Sequence, residues 1–146
     1  MPVRLYLDTS IWMDFFEDRY GFKGEPLGYY AWRMLALALL MGWRLVVTDI
    51  LRWELGKRYD ADEINSLFSP FANNIEQISS NLSQKNEARR ICRERGIPFN
   101  DVLHAIMARD NNLILITRDR HFKRLRDITW SQRPEDVIEN LARRDF

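Results

Sequence analysis

Short runs of strand-forming residues alternate with helical segments along almost the whole chain, and this alternation constrains the fold more than any other feature. The runs VRLYL (3–7), RLVVT (44–48) and LILIT (113–117) are the clearest strands. Weaker strands are expected at IEQIS (75–79) and around Ile128. Strands that are separated by helices pair in parallel through crossover connections. The sequence therefore predicts an α/β fold, a three-layer α/β/α domain with a mostly parallel central sheet.

Glycines, prolines and polar capping residues mark the ends of the predicted helices. Helices are expected over residues 10–19, 29–41 ending at Gly42, 50–59 capped by Asp49, 61–68 before Pro70, a segment opened by Ser83 or Asn86 and closed by Gly96, 101–110 after Pro98 and Asn100, and 134–143. The stretch 19–30 contains GFKGEPLG, a loop to which the sequence assigns no role.

The composition is that of an ordinary globular protein, since 46% of the 146 residues are hydrophobic and 29% are charged. This length fits one domain, residues 1–146. The single cysteine, Cys92, excludes an internal disulfide and favours a cytoplasmic location. The first strand leaves no room for a signal peptide, and Arg33 interrupts the longest apolar stretch, so we expect neither secretion nor a membrane span.

Positive charge is concentrated in the second half of the chain, although the net charge is only +1. Residues 1–81 contain 8 Lys or Arg and 11 Asp or Glu, whereas residues 82–146 contain 14 and 10. The excess lies in KNEARRICRER (85–95) and RDRHFKRLR (118–126). Such clusters contact a phosphate backbone in some proteins and are solvated helix faces in others, so charge alone does not decide between these roles.

Acidic residues follow the predicted strands closely. Asp8 ends the first strand, Asp119 lies two residues beyond LILIT, and Glu54 lies about one and a half turns into the helix after RLVVT. Asp101 begins the apolar helix DVLHAIMARD. Ligands of parallel sheets bind beyond the carboxyl ends of the strands, so these four acids are expected to converge there.

A group of converging carboxylates requires a cation or shared protons. Two carboxylates about 5 Å apart repel by roughly 3 kcal/mol at an effective dielectric constant of 20. The chain has only two histidines and one cysteine, and an all-oxygen cluster favours Mg²⁺ or Mn²⁺. These ions support hydrolysis of phosphodiesters, and the basic clusters would hold the polyanion.

Four motifs in this order resemble those of the PIN-domain ribonucleases, and in particular the VapC-type toxins of VapBC toxin–antitoxin systems. They are LDTSIW (7–12), ILRWEL (50–55), PFNDVLHAIMA (98–108) and LILITRDRHF (113–122), and the likeness covers nearly the whole chain. The resemblance implies a metal-dependent endoribonuclease in which Asp8, Glu54, Asp101 and Asp119 are the catalytic and metal-binding acids. It also implies an RNA substrate, an inhibitory antitoxin and a homodimer.

The resemblance has one departure, because many relatives carry another acid two places after the fourth, where this chain has His121. His121 is a poor candidate for a general base without a partner, and His104 is expected to be a buried, hydrogen-bonded core residue.

Other polar residues near the acids are candidates for supporting roles. Thr9 and Ser10 are candidates for orienting Asp8 or a water, and Thr117 is a candidate for supporting the acids through its hydroxyl; structural roles are equally open for all three. The cations expected to contact RNA are Arg118, Arg120 and Lys123.

Each acid also has a structural alternative. Asp8 and Asp101 could simply cap helices. Glu54 could be a solvated helical residue with Asp49 or Glu63 in its place, and Asp119 could be a turn residue.

Other functions are also possible for a chain with these motifs. A PIN-like module that has lost catalysis and binds RNA or protein is the main alternative, and the presence of all four acids argues against it. Ser10 stands where a haloacid-dehalogenase-type phosphatase needs a second Asp. The sequence also contains no P-loop, no G-x-G-x-x-G turn and no G-x-S-x-G elbow.

Overall fold

The computed structural model describes the backbone of residues 3–144 and the side chains of residues 3–140. The predicted domain ends, residues 1 and 146, lie outside this part. The elements are β1 (Arg4–Leu7), α1 (Thr9–Glu17), α2 (Leu27–Met41), β2 (Arg44–Thr48), α3 (Asp49–Gly56), α4 (Ala61–Phe68), β3 (Ile75–Ile78), α5 (Leu82–Arg95), α6 (Phe99–Asn111), β4 (Ile114–Ile116), β5 (Ser131–Gln132) and α7 (Pro134–Arg144). Residues 69–74 and 120–125 form 3₁₀ helices.

The strands form one sheet with helices on both faces. Its order is β3-β2-β1-β4-β5, and every pair of neighbouring strands is parallel. Leu5 and Leu7 of β1 belong to an apolar cluster with residues of α1, α2 and α3, whereas Tyr6 between them belongs to a second cluster with residues of α5 and α6. Side chains alternate across a strand, so β1 contributes to both layers. The predicted three-layer α/β/α fold is confirmed.

The direction of strand addition reverses at β1. The chain places β2 and β3 on one side of β1 and then returns to place β4 and β5 on the other side. In sheets of this kind a crevice opens at the carboxyl ends of the two strands where the order reverses, here β1 and β4. This switch point receives Asp8 after β1 and the segment 117–119 after β4.

The cap of α3 differs from the expectation. Thr48 is the N-cap, because its backbone is still extended and its hydroxyl accepts a hydrogen bond from the N–H of Leu51 at 3.2 Å. Asp49 already belongs to the helix and its carboxylate accepts hydrogen bonds from Ser80 instead. The prediction of Asp49 as the cap is therefore wrong.

Two further boundaries differ. α5 is capped by Asn81, in a capping box with Gln84, and not by Ser83 or Asn86. The last strand lies at residues 131–132, whereas Ile128 is a partly buried residue packed against the second apolar cluster.

The loop before α2 is shorter than expected because the helix begins at Leu27. Gly28 allows α2 to approach α1 closely, since a Cβ there would lie 2.7 Å from the backbone of Asp14 and of Asp18. α2 has 15 residues, and none of the helices in residues 3–144, α2 included, is long and apolar enough to cross a bilayer.

Candidate active site

Asp8 lies at the switch point, where β1 passes into α1. Its N–H donates to the carbonyl oxygen of Ile116 on β4 at 3.0 Å. The Asp8 carboxylate caps α1, and it also accepts hydrogen bonds from the hydroxyls of Ser10, at 2.6 Å, and Thr117. Burial raises the pKa of Asp8, although the two hydroxyls oppose the rise. The helix cap and the acid at the end of the strand are thus the same residue.

Glu54 extends from α3 and is held by polar side chains. The Thr9 hydroxyl donates to Glu54 Oε1 at 2.8 Å, and His104 Nε2 lies 2.5 Å from the same oxygen. Burial acts to raise the pKa of Glu54, but hydrogen bonds from His104, Thr9 and Asn100 outweigh it and hold this pKa below its ordinary value. Glu54 is therefore anionic at neutral pH. Thr9 supports Glu54 rather than Asp8.

A buried chain of hydroxyls lies behind Glu54. The Tyr6 hydroxyl contacts His104 Nδ1 and lies 2.7 Å from the Thr48 hydroxyl. The Thr48 hydroxyl also accepts a hydrogen bond from the N–H of Leu51, so Thr48, Tyr6 and His104 form one buried hydrogen-bonded chain. An ionised carboxylate can only accept, so His104 donates to Glu54 from Nε2. The prediction of a buried, hydrogen-bonded His104 is confirmed, because its exposure is 2%.

Asp101, Asp119 and His121 form a compact group of possible metal ligands. Among the side chains of residues 3–140, this is the only group of three His, Cys, Asp or Glu whose ligand atoms all lie within 4.8 Å of one another. His121 Nδ1 lies 2.7 Å from Asp101 Oδ2 and 3.2 Å from Asp119 Oδ1. Burial raises the pKa of Asp101, and the hydrogen bond with His121 opposes the rise. His121 therefore has two carboxylate partners in the structure.

One cavity of about 260 Å³ is lined by all four predicted acids, Asp8, Glu54, Asp101 and Asp119. Two of these acids belong to the group with His121, and the other two reach the cavity from the end of β1 and from α3. The other residues around the cavity are Thr9, Ser10, Met13, Lys57, Asn100 and His104. The structure therefore brings together the acids that the sequence places far apart.

The three cations predicted to contact RNA have different surroundings. Arg118 forms a bidentate pair with Glu135, with N–O distances of 2.7 and 2.9 Å, and its Nε lies 4.0 Å from Asp14. Its guanidinium is thus engaged within the chain. Arg120 and Lys123 are exposed and line a second cavity, which Asp119 also borders.

The donor set of the acidic cavity fits a divalent cation. Carboxylate oxygens dominate it, as Mg²⁺ and Mn²⁺ require. His121 Nδ1 lies within reach of the same group, and an imidazole nitrogen suits transition metals better than Mg²⁺. The sequence alone could not assign a role to His121. Its contact with Asp101 depends on the 3₁₀ helix after Asp119, which directs the His121 side chain toward α6.

The fold and the site together define the class of protein: an α/β domain whose all-parallel sheet has a carboxylate-lined cavity at its switch point. The family model described as the PIN domain matches residues 5–128. The chain therefore belongs to the PIN domain family.

Solved structures share this fold at low sequence identity. VapBC2 from Rickettsia felis, bound to a DNA fragment from its promoter, has a TM-score of 0.63 and 21% identity, over 89% of this chain and 98% of that chain. PAE2754 from Pyrobaculum aerophilum has a TM-score of 0.61 and 19% identity, over 96% and 90%. VapBC-1 from nontypeable Haemophilus influenzae has a TM-score of 0.60 and 19% identity, over 89% and 98%. No curated protein sequence matches the chain significantly.

Proposed function

We propose that the chain is a metal-dependent endoribonuclease and the toxin of a type II toxin–antitoxin pair. The observation that carries the proposal is the convergence of Asp8, Glu54, Asp101 and Asp119 in one cavity at the switch point of the sheet. Membership of the PIN domain family supports nuclease chemistry at this position. The similarity in fold to structures of VapBC complexes supports the toxin role.

The chain's own residues fix the positions and charges of the acids. Glu54 is kept anionic and oriented by Thr9 and His104, and Asp8 is oriented by the hydroxyls of Ser10 and Thr117. These contacts reduce the reorganisation needed when a substrate arrives, which is the main source of electrostatic catalysis.

Metal dependence follows from the charge of the cavity. Its anionic lining repels an RNA phosphate, so the phosphate enters only when the carboxylates are neutralised. Asp8, Glu54, Asp101 and Asp119 would hold Mg²⁺ or Mn²⁺, directly or through waters. Such an ion would neutralise charge on the scissile phosphate and would activate the attacking water.

We propose single-stranded or looped RNA in the cytoplasm as the substrate, because an unpaired backbone enters a small cavity more easily than a duplex does. The proposed antitoxin and the proposed homodimer both require an apolar surface. The exposed apolar side chains of α2 are available for such contacts: Tyr29, Trp32, Leu39 and Leu40.

The nuclease proposal is tested by incubating unstructured RNA with the purified chain and with Asp8→Asn. With Mn²⁺ we expect cleavage by the parent and at least about a hundredfold slower cleavage by Asp8→Asn, since the loss of one charged group in a site of this kind costs about 3 kcal/mol or more. EDTA is expected to abolish cleavage by the parent. Equal cleavage by the two proteins, or full cleavage in EDTA, would contradict the proposal.

The toxin role is tested separately by induction in a bacterial host. Growth arrest is expected with the parent and not with Asp8→Asn, and co-expression of a short reading frame encoded beside the gene is expected to restore growth. Arrest that persists in Asp8→Asn would show that the acids are not its cause.

A further inference from the structure

A second cavity, of about 330 Å³, lies beside the acidic one. Its lining includes Thr117, Arg120, Lys123, Arg126 and Gln132, and we call it the basic pocket. Asp119 borders both cavities, and Thr117 of the basic pocket donates a hydrogen bond to Asp8. Because the two cavities adjoin, a nucleic acid that places one phosphate at the acids can place its next nucleotide in the basic pocket.

The basic pocket carries positive charge that the described part of the chain does not neutralise. Arg120, Lys123 and Arg126 are exposed, and no carboxylate of residues 3–140 forms an ion pair with any of them. Arg133 also lines the pocket but pairs with Asp136 at 3.0 Å. The three unpaired cations remain available to a phosphate.

The other basic stretch of the sequence, residues 85–95, differs in this respect. Arg90 pairs with Glu94 at 3.4 Å, and Arg95 pairs with Asp127 at 2.7 Å. Part of its charge is therefore compensated within the chain. The unpaired cations next to the acids belong to the segment 120–126.

An aromatic ring and a buried amide accompany these cations. Trp130 is 69% exposed, and its ring centroid lies 4.9 Å from the guanidinium carbon of Arg126, one of the residues that line the basic pocket. Gln132 lines the pocket, and its Oε1 is buried without a hydrogen-bond partner among the described residues. Exposed rings stack on nucleic acid bases, and a free acceptor suits a 2′-hydroxyl or a base amino group.

We propose that the basic pocket binds the nucleotide next to the scissile phosphate of a single-stranded RNA. Arg120 and Lys123 hold its phosphate, and its base stacks on Trp130 beside Arg126. The inference rests on the proposed ribonuclease function for the identity of the polymer, but it concerns binding and not cleavage.

The test measures binding of a fluorescein-labelled, unstructured RNA of about 12 nucleotides to the full chain by fluorescence anisotropy in Ca²⁺, which neutralises the acids, and gel electrophoresis verifies that the RNA stays intact. Trp130→Ala is expected to weaken binding about tenfold, the typical loss for one stacked base. Trp130→Phe keeps an aromatic face and is expected to bind within about threefold of the parent. Arg120→Gln combined with Lys123→Gln is expected to reduce the slope of log Kd against log salt by about 0.7 for each phosphate that these side chains no longer bind.

Matched controls remove the same groups elsewhere. Phe22→Ala deletes an exposed aromatic ring from the loop before α2, and Arg90→Gln removes one charge from α5. Both are expected to bind RNA as the parent does, and circular dichroism with thermal unfolding verifies that every variant is folded.

An unchanged affinity of Trp130→Ala, an equal loss in Phe22→Ala, or no RNA binding by the parent would overturn the inference. So would an acidic peptide that binds with the same dependence on Trp130, because the pocket would then serve a protein partner. Metal-dependent cleavage without Trp130-dependent binding overturns this inference alone. Trp130-dependent binding without metal-dependent cleavage overturns the proposed function alone.

Discussion

Replacing Asp14 by asparagine tests the cost of a carboxyl group that is buried in α1. Its side chain is 7% exposed, and the nearest cationic atoms, on Arg19 and Arg118, lie 3.9 and 4.0 Å away. Burial therefore dominates and raises the pKa of Asp14 from 3.8 to about 6. A difference of about two pKa units corresponds to about 3 kcal/mol in favour of the protonated form.

The direction of the effect follows from proton binding. The folded chain keeps the Asp14 proton up to a pH of about 6, whereas the unfolded chain releases it near 3.8. Raising the pH through this window therefore lowers the free energy of unfolding. Asp14→Asn is neutral throughout, so we expect it to match the parent near pH 4 and to be more stable by up to about 3 kcal/mol at about pH 8.

Urea unfolding followed by circular dichroism at a series of pH values measures this difference. Asp62→Asn, which removes an exposed carboxylate from α4, is the control and is expected to show no comparable gain at high pH. If the difference in the free energy of unfolding between Asp14→Asn and the parent stays constant with pH, or increases toward low pH, burial does not raise the pKa of Asp14.

Three further predictions concern packing, buried hydrogen bonds and metal preference. Gly28→Ala places a Cβ 2.7 Å from the backbone of Asp14, so we expect it to lower the free energy of unfolding by at least about 1 kcal/mol. The control is Gly56→Ala, whose new Cβ has nothing within 4 Å and is expected not to lower this free energy. Tyr6→Phe removes a buried hydroxyl with two hydrogen-bond partners and is expected to cost about 1–3 kcal/mol in the same urea assay; no change would contradict the assigned contacts. His121→Asp replaces a candidate nitrogen ligand by a carboxylate oxygen. Titration calorimetry is expected to show a lower ratio of Mn²⁺ affinity to Mg²⁺ affinity than in the parent. An unchanged ratio would exclude His121 as a ligand.

The layers and the place of the site could be predicted because they depend on local patterns. Alternation of strands and helices specifies a parallel sheet, and residues that directly follow strands must lie at its carboxyl edge. Asp8 and Asp119 reach the cavity for that reason, and Asp101 reaches it as the third residue of α6.

The hydrogen-bond partners of the acids could not be predicted in this way. His104 is 50 residues from Glu54 and touches it only because β1, α3 and α6 meet at one edge. His121 is 20 residues from Asp101, and their contact depends on the turn after Asp119. Caps were misassigned for a related reason, since Asp49, Ser83 and Asn86 have suitable side chains but already lie within helices.

The central claim is that acids distant in sequence share one pocket that holds a divalent cation. Anomalous scattering from crystals grown with Mn²⁺ tests it most directly, because it locates the ion itself. We expect a peak within ligand distance of Asp101 and Asp119 that disappears in Asp101→Asn. Full occupancy of Mn²⁺ elsewhere, with an empty acidic cavity, would contradict it.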